Sequence, residues 1–321
     1  MPKVIIHDAV DPAARVLLEA RENMEIVTIE RDERERLRHE LADADSIILR
    51  YLPLDADDLR AASNLKVVAR HGVGYDNIDM VAAGACGIPV ATIGDANSVT
   101  VAELALYLML AAAKQGLVYD AALRSGDWWQ IRKSAHIIEL YEKTVLVVGF
   151  GRLGSRVAPR CKAFGMDVMV CDPYIPQATI SEAGFTPAPD FAAALSQADI
   201  VTLHTPLNDE TRHMIGTPAL TSMKKGALLV NTSRGPVVDG DALSAAITSG
   251  HIFAAGLDVF EEEPPEPDST LLSHTNMVFT PHIGGLTREC FYRSAIVCAQ
   301  NSLDAIDGKL DPAYVVNSEV L

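Results

Sequence analysis

Three polar residues stand where apolar runs end, and each brings a different piece of ionic or acid–base chemistry. Arg234 lies in Asn231-Thr-Ser-Arg-Gly235, directly behind a strand-like run. An arginine placed there can grip a carboxylate through two parallel, charge-assisted hydrogen bonds. His282 lies in Thr280-Pro-His-Ile-Gly-Gly285, again just past such a run. Histidine readily exchanges a proton with a hydroxyl near neutral pH. Glu263 closes Gly256-Leu-Asp-Val-Phe-Glu-Glu-Glu263 before two prolines, and a carboxylate can orient such a histidine. Each also has a plainer reading: an arginine in a surface turn, a solvated run of glutamates, an exposed histidine.

The partner for this chemistry is written between residues 145 and 172. Val145-Leu-Val-Val reads as a buried strand. Gly149-Phe-Gly151-Arg152-Leu153-Gly154 follows, and Ser155-Arg-Val-Ala opens a helix. Asp172 comes eighteen residues after Gly154, at the end of a second apolar run, 168–171. This strand–turn–helix–strand–acid order is the fingerprint of a dinucleotide site. Gly149 permits the turn, Gly151 lets the backbone reach a pyrophosphate, and Gly154 lets the helix pack on the strand. The helix N-terminus presents N–H groups and partial positive charge to the phosphates. Asp172 suits ribose hydroxyls and would repel a 2′-phosphate, so the expected cofactor is NAD. The glycine pattern alone also fits a turn that binds nothing; the strands and the acid make it specific. Arg234, His282 and Glu263 then supply what oxidation of a 2-hydroxy acid needs. A cation fixes the carboxylate and polarises the C2 oxygen, a base takes the hydroxyl proton, and an acid orients the base, while the cofactor carries the redox step.

The elements that must position these residues form two alternating series. Strands are expected at 4–7, 25–29, 46–49, 66–70 and 89–92, with helices starting near Asp11-Pro12, Arg34, Asp55 and Asp79. This alternation implies a parallel sheet with helices on both faces. A long helix should begin near Thr100, where Thr100-Val-Ala-Glu103 matches a capping box. Residues 124–143 read as an extended arm. A second series places strands at 145–148, 168–171, 200–203, 227–231, 254–259 and 277–280, six in all, which suits a full dinucleotide fold. Pro159 falls inside the helix after the glycine turn and should kink it. A helix follows over 288–307, and 313–317 reads as an extended segment returning to the first domain. The fold class is therefore α/β with two doubly wound parallel-sheet domains. A dinucleotide-binding Rossmann domain, 99–289, is inserted in a discontinuous flavodoxin-like substrate domain, 1–98 and 290–321.

Composition narrows the partners. The 321 residues carry a net charge of −16, which disfavours nucleic acid or anionic membrane as a general-surface partner. The five cysteines (Cys86, Cys161, Cys171, Cys290, Cys298) lack C-x-x-C spacing, so neither structural zinc nor any other metal site is expected. With no signal-peptide pattern and no spanning apolar run, the expected location is cytoplasmic.

Several blocks occur in an order that resembles the D-isomer-specific 2-hydroxyacid dehydrogenase family over almost the whole chain. They are Gly72-Val-Gly-Tyr-Asp-Asn-Ile-Asp79, the 147–154 glycine block, His204-Thr-Pro-Leu207, Asn231-Thr-Ser-Arg-Gly-Pro-Val-Val-Asp239, Leu257-Asp-Val-Phe260 and Pro281-His-Ile-Gly-Gly285. The resemblance implies that Arg234, Glu263 and His282 are the catalytic triad. It implies that Gly149, Gly151, Arg152, Leu153, Gly154, Asp172, Thr205, Thr232, Ser233, Gly284 and Gly285 contact the cofactor, and that Asp258 holds the nicotinamide amide. It also implies that Gly72, Val73 and Gly74 offer backbone N–H groups to the substrate, in a cleft between two domains. A homodimer built through the cofactor domains is implied too, with the 128–133 arm as a dimer element; a simple surface loop is the plainer reading. The chain departs from the family at Ile137 and Glu142, where glycines are usual, which leaves the local loop path open. It has no residues for the regulatory domains of longer phosphoglycerate dehydrogenases, so serine feedback through such a domain is not expected.

Arg50 and Arg70 each end an apolar run and resemble the first-domain arginines of phosphoglycerate dehydrogenases. With Arg132 on the arm they would suit a second anionic group, such as phosphate; solvated arginines are the alternative. The expected reaction is NAD-dependent interconversion of D-3-phosphoglycerate and 3-phosphohydroxypyruvate. A hydroxypyruvate/glyoxylate reductase, or another 2-hydroxyacid dehydrogenase, is the alternative. A remoter one is an NAD-sensing corepressor-like binding protein, told apart by whether any 2-hydroxy acid is turned over.

Overall fold

The computed structural model describes residues 1–321. The chain divides into two compact units, residues 1–97 with 285–321, and residues 98–284. The second junction falls at Gly284/Gly285, ahead of the expected 289/290, because the lead-in to the helix Arg288–Ile306 goes with the first unit.

The first unit alternates β1 (Lys3–His7), α1 (Pro12–Glu19), β2 (Glu25–Ile29), α2 (Arg34–Leu41), β3 (Ser46–Leu49), α3 (Ala56–Ala61), β4 (Val67–Arg70), α4 (Met80–Ala85) and β5 (Val90–Ala91). All its strand pairs are parallel, in the order β2-β1-β3-β4-β5, which is the flavodoxin-like order. Aspartates start the helices: Asp11, Asp55 and Asp79 accept hydrogen bonds from first-turn N–H groups of α1, α3 and α4, the preferred N-cap chemistry. β1 and β3 are buried at every residue because both faces of a parallel sheet are covered. Val4, Ile6 and Ile48 pack with Ala295, Cys298 and Ala299 of the helix Arg288–Ile306. Ile5, Ile47 and Leu49 pack with Leu37, Leu41 and Leu59 of α2 and α3 on the other face. The tail closes the edge: Val315 bridges Ala91, and Asn317 Oδ1 accepts from the Val90 N–H at 2.8 Å.

The second unit opens with α5 (Ser98–Lys114), α6 (Gly116–Arg124) and α7 (Trp128–Lys133). β6 (Thr144–Val148), α8 (Gly154–Ala163), β7 (Asp167–Cys171), α9 (Gln177–Glu182), β8 (Thr186–Pro187), α10 (Phe191–Gln197) and β9 (Ile200–Leu203) follow. α11 (Thr217–Ser222), β10 (Ala227–Asn231), α12 (Gly240–Thr248), β11 (Ile252–Leu257) and β12 (Val278–Phe279) complete it. The parallel sheet runs β12-β11-β10-β9-β6-β7-β8. It has seven strands rather than six. The extra one, β8, is a two-residue edge strand ending in Pro187, and so short a proline-terminated edge leaves almost no periodic signal.

Other expectations need correcting. α5 starts at Ser98, so Thr100 lies in its first turn and does not cap it. Within the expected arm, 124–143, residues 128–133 form the helix α7 while 135–140 carry no regular element, and neither α7 nor the preceding α6 contains a buried residue. Pro159 does fall inside α8, as expected. Glu142 has φ +59°, the left-handed conformation that glycine adopts readily, so the glycine-like turn is kept without the glycine. No single helix is long and apolar enough to cross a membrane, and the α5–α6 pair, which has sufficient length and composition, is bent by 60°.

Candidate functional site

The glycine turn joins β6 to α8 at the middle of the second sheet. Gly149 has φ +90°, and a Cβ there would lie 2.7 Å from the His204 carbonyl oxygen. A Cβ on Gly154 would run into the Gly149 carbonyl, whereas one on Gly151 would meet nothing within 4 Å. Two glycines are therefore demanded by packing, and the middle one leaves a surface a ligand can approach. Arg152 and Leu153 complete the turn, and the α8 N-terminus lies directly behind it.

Asp172 follows β7 and is held at both oxygens. Oδ2 accepts from the Phe150 N–H at 2.7 Å and Oδ1 from the Tyr174 N–H at 2.9 Å. The carboxylate is thus locked to the glycine turn. Three buried polar atoms collect where β9 and β10 end: His204 Nδ1, Thr205 Oγ1 and Thr232 Oγ1 have no hydrogen-bond partner within the protein. Buried polar groups are nearly always paired, so such a cluster, with the His204–Thr205 backbone against Gly149, suits a polar ligand. Burial lowers the His204 imidazole to about 3, which keeps it neutral, and its Nε2 is paired with Thr202 Oγ1 at 3.0 Å. These features fit a dinucleotide: small backbone at the phosphates, an oriented acid for the ribose, and unspent hydroxyls along the strand ends.

The loop bearing Arg234 is organised by Asn231, whose role the sequence did not disclose. Asn231 is 1% exposed. Its Oδ1 accepts from the N–H and hydroxyl of Ser233, and its Nδ2 donates to the Arg234 carbonyl at 2.9 Å. Arg234 Nη1 donates to the Ser233 carbonyl at 2.8 Å. Gly235 packs so closely on Phe260 that no Cβ would fit.

The loop bearing His282 wraps around Asp258, which is 2% exposed. Asp258 Oδ1 accepts from the Thr280 hydroxyl at 2.7 Å and the Ile283 N–H at 2.8 Å, and Oδ2 from the Gly284 N–H at 2.9 Å. Burial raises its carboxyl above the usual range, and these three bonds oppose that shift. They occupy most of a carboxylate's roughly four acceptor positions. His282 itself has φ +52°, and its N–H donates to the Asp258 carbonyl at 2.8 Å. From that fixed backbone, His282 Nδ1 meets Glu263 Oε2 at 2.7 Å. Glu263 Oε1 accepts from the Phe260 N–H at 3.1 Å. Burial alone would raise the Glu263 carboxyl, but the hydrogen bond and charge of His282, the Phe260 N–H and the Arg234 charge outweigh it and hold the group below its ordinary value. The structure thus brings Arg234, Glu263 and His282 to the carboxyl ends of adjacent strands, with a half-exposed carboxylate–imidazole pair.

The remaining expected residues lie elsewhere. In the first unit, Arg50 is 8% exposed. Its guanidinium donates to the Ala9 carbonyl at 2.5 Å and the Tyr51 hydroxyl at 2.7 Å, and stacks on Tyr51 and Phe291. Arg70 Nη1 donates to the His71 carbonyl at 2.8 Å and crowds Gly72. His71 is pushed down to about 4 by burial, with the charges of Arg50 and Arg70 in support. Gly72, Val73 and Gly74 form the loop after β4, where the Ile93 N–H donates to the Gly72 carbonyl. Arg132 lies on α7 above the Trp128 ring. Gly285 begins the second segment of the first unit.

A family model described as D-isomer specific 2-hydroxyacid dehydrogenase, NAD binding domain, matches residues 106–284. The D-3-phosphoglycerate dehydrogenase of Methanocaldococcus jannaschii is 40% identical over 97% of this chain and 58% of its own length. The hydroxypyruvate reductase of Thermotoga maritima is 38% identical over 92% of this chain and 95% of its own. The D-lactate dehydrogenase of Aquifex aeolicus, solved with NAD and lactic acid, superposes with a TM-score of 0.87 at 28% identity, covering 98% of both chains. The chain spans about half to three-fifths of the length of the phosphoglycerate dehydrogenases it matches.

Proposed function

The chain belongs to the D-isomer specific 2-hydroxyacid dehydrogenase family, and from that premise we propose that it interconverts a D-2-hydroxy acid and its 2-keto acid with NAD, the substrate pair being D-3-phosphoglycerate and 3-phosphohydroxypyruvate. The observation that carries the reading is the 2.7 Å His282–Glu263 pair beside Arg234, on the sheet that holds the glycine turn. NAD, when bound, accepts or supplies the hydride. The glycine turn and α8 hold its pyrophosphate, Asp172 its adenosine ribose, and Thr205, Thr232 and Ser233 line its path. Asp258 has one acceptor position left for the nicotinamide amide. Arg234 holds the substrate carboxylate and polarises the C2 oxygen. His282 Nε2 takes the hydroxyl proton in oxidation and returns it in reduction. Glu263 fixes the ring through Nδ1 and balances the charge that forms on it.

Arg50 and Arg70, with Arg132 from a partner's arm, support a second anionic group on the substrate. A homodimer is part of the proposal, because Trp128, Trp129, Leu117 and Leu123 on α6 and α7 are all about half exposed or more. So is a cytoplasmic location, which the free thiols of all five cysteines support. One observation favours hydroxypyruvate or glyoxylate instead. Arg50 already spends two nitrogens on Ala9 and Tyr51, leaving fewer donors for a phosphate. The test compares 3-phosphohydroxypyruvate with hydroxypyruvate and glyoxylate, using NADH, in wild type and Arg50→Ala. Loss of a charged contact of about 1.5–3 kcal/mol should cost ~10–100-fold in kcat/KM for the phosphorylated acid alone. A wild type that prefers hydroxypyruvate or glyoxylate, with that preference unchanged in Arg50→Ala, replaces the first substrate with the second.

A further inference from the structure

Glu261 stands two residues before Glu263 in the same run of glutamates, yet it faces a different set of partners. Its Oε2 lies 2.8 Å from His213 Nε2, and its Oε1 accepts from the Gly240 N–H, at the start of α12, at 2.8 Å. His213 is itself tied down: it has φ +51°, and its N–H donates to the Pro236 carbonyl at 2.8 Å. Pro236 belongs to the 3-10 turn Gly235–Val237 that directly follows Arg234. Two residues further on, the Ile215 N–H donates to the Val237 carbonyl. On the other side of the same turn, Gly235 abuts the Phe260–Glu261 backbone too closely for any Cβ. The segment after β9 and the start of α12 therefore meet at the Glu261 side chain, while the Arg234 turn touches the backbone of His213 on one side and of Phe260–Glu261 on the other.

We propose that Glu261 and His213 are positioning residues that lock the Glu263 loop to the Arg234 turn, and so set where Glu263 and His282 stand relative to Arg234. The proposal rests on the roles given above to those three residues. Apart from His282 itself, Glu263 bonds only the Phe260 N–H of its own loop. The longer-range anchor is Glu261, whose two oxygens reach two separate elements. The pair is about 40–45% exposed, and exposed ion pairs add little to stability. Its value is geometric, because a displacement of about 1 Å at a reacting group can cost ~10²-fold in rate.

The test uses the full chain as Glu261→Ala, Glu261→Gln, His213→Ala and the double Glu261→Ala/His213→Ala, with Glu263→Gln as reference. Turnover, KM, NADH affinity by fluorescence titration, the pH–rate profile of keto-acid reduction and the melting temperature are measured. Glu261→Ala should lower kcat ~10–100-fold while NADH affinity and melting temperature stay near wild type. Its alkaline limb should move in the same direction as that of Glu263→Gln. Glu261→Gln should recover most of the rate, since an amide can accept from Gly240 and donate to a neutral His213 ring. The double variant should be no worse than Glu261→Ala, because both changes remove one contact. If Glu261→Ala does not fold, His213→Ala carries the test by the same shift of the limb. A wild-type profile in the folded variants, while Glu263→Gln is shifted, overturns the positioning role alone. A wild-type profile in Glu263→Gln overturns the catalytic reading first, and the positioning role with it.

Discussion

Asp258→Asn should loosen the His282 loop without emptying the space beneath it. The amide oxygen can take the place of Oδ1 and keep the Thr280 and Ile283 bonds, at 2.7 and 2.8 Å in the native protein. The amide nitrogen then faces the Gly284 N–H, which the native Oδ2 accepts at 2.9 Å. The opposite rotamer keeps the Gly284 bond and can donate to the Thr280 hydroxyl but sets a donor against Ile283, so one N–H is stranded in either orientation. One charge-assisted bond of about 1.5–3 kcal/mol is lost and a buried N–H is stranded at about 1–3 kcal/mol. Against this, burial already strains the carboxylate and raises its pKa, so a neutral amide recovers part of the loss. The net cost should be about 1–3 kcal/mol, read as a lower denaturant midpoint. Because His282 is held between Thr280 and Ile283 and by the Asp258 carbonyl, the same change should displace it from Glu263. Turnover in NADH-dependent keto-acid reduction should fall ~10–100-fold. An Asp258→Asn protein with a wild-type denaturant midpoint and wild-type turnover would refute this account of the loop.

The Asp172 carboxylate, fixed by Phe150 and Tyr174, should make NADH the better cofactor by ~10–100-fold over NADPH. Asp172→Ala combined with Pro173→Arg should narrow that ratio, and equal use of both cofactors by wild type would sink the idea. Glu263 is held below its ordinary carboxylate value, so the contribution of the charged pair is complete above that ordinary value and is lost as pH falls through the depressed one. The melting temperatures of wild type and Glu263→Gln should therefore differ at neutral pH and converge in acid. At the other end, Glu263→Gln replaces the carboxylate that holds the His282 ring at 2.7 Å, so the alkaline limb of keto-acid reduction should shift in that variant. Identical pH–rate profiles would remove Glu263 from its role.

The glycine turn, Asp172 and the ends of the strands that carry Arg234 and His282 were legible in the sequence. Their signal is local: apolar runs closed by glycine and an acid at a set distance. What lay beyond reading depends on the path of a loop. In the run Glu261-Glu262-Glu263, nothing in the residue types separates the glutamate that meets His282 from the one that meets His213 and Gly240. Asn231 opens a recognisable block, but its work as a hub appears only once the backbone folds back on its amide. β8 escaped because two edge residues carry no period. The helix α7 inside the arm escaped because it contains no buried residue, so the apolar periodicity that betrays a packed helix has no core to match.

The most direct test of the central claim is NADH oxidation with a panel of 2-keto acids (3-phosphohydroxypyruvate, hydroxypyruvate and glyoxylate) in wild type, Arg234→Ala and His282→Ala, with NADH affinity measured separately by fluorescence. The account predicts turnover of at least one 2-keto acid by wild type. In Arg234→Ala it predicts a loss of ~10²–10⁴-fold in kcat/KM, with a comparable fall in kcat for His282→Ala while NADH still binds both variants. A folded Arg234→Ala or His282→Ala that reduces the keto acid at near wild-type rate, or a wild type that binds NADH and reduces none of the panel, would contradict it.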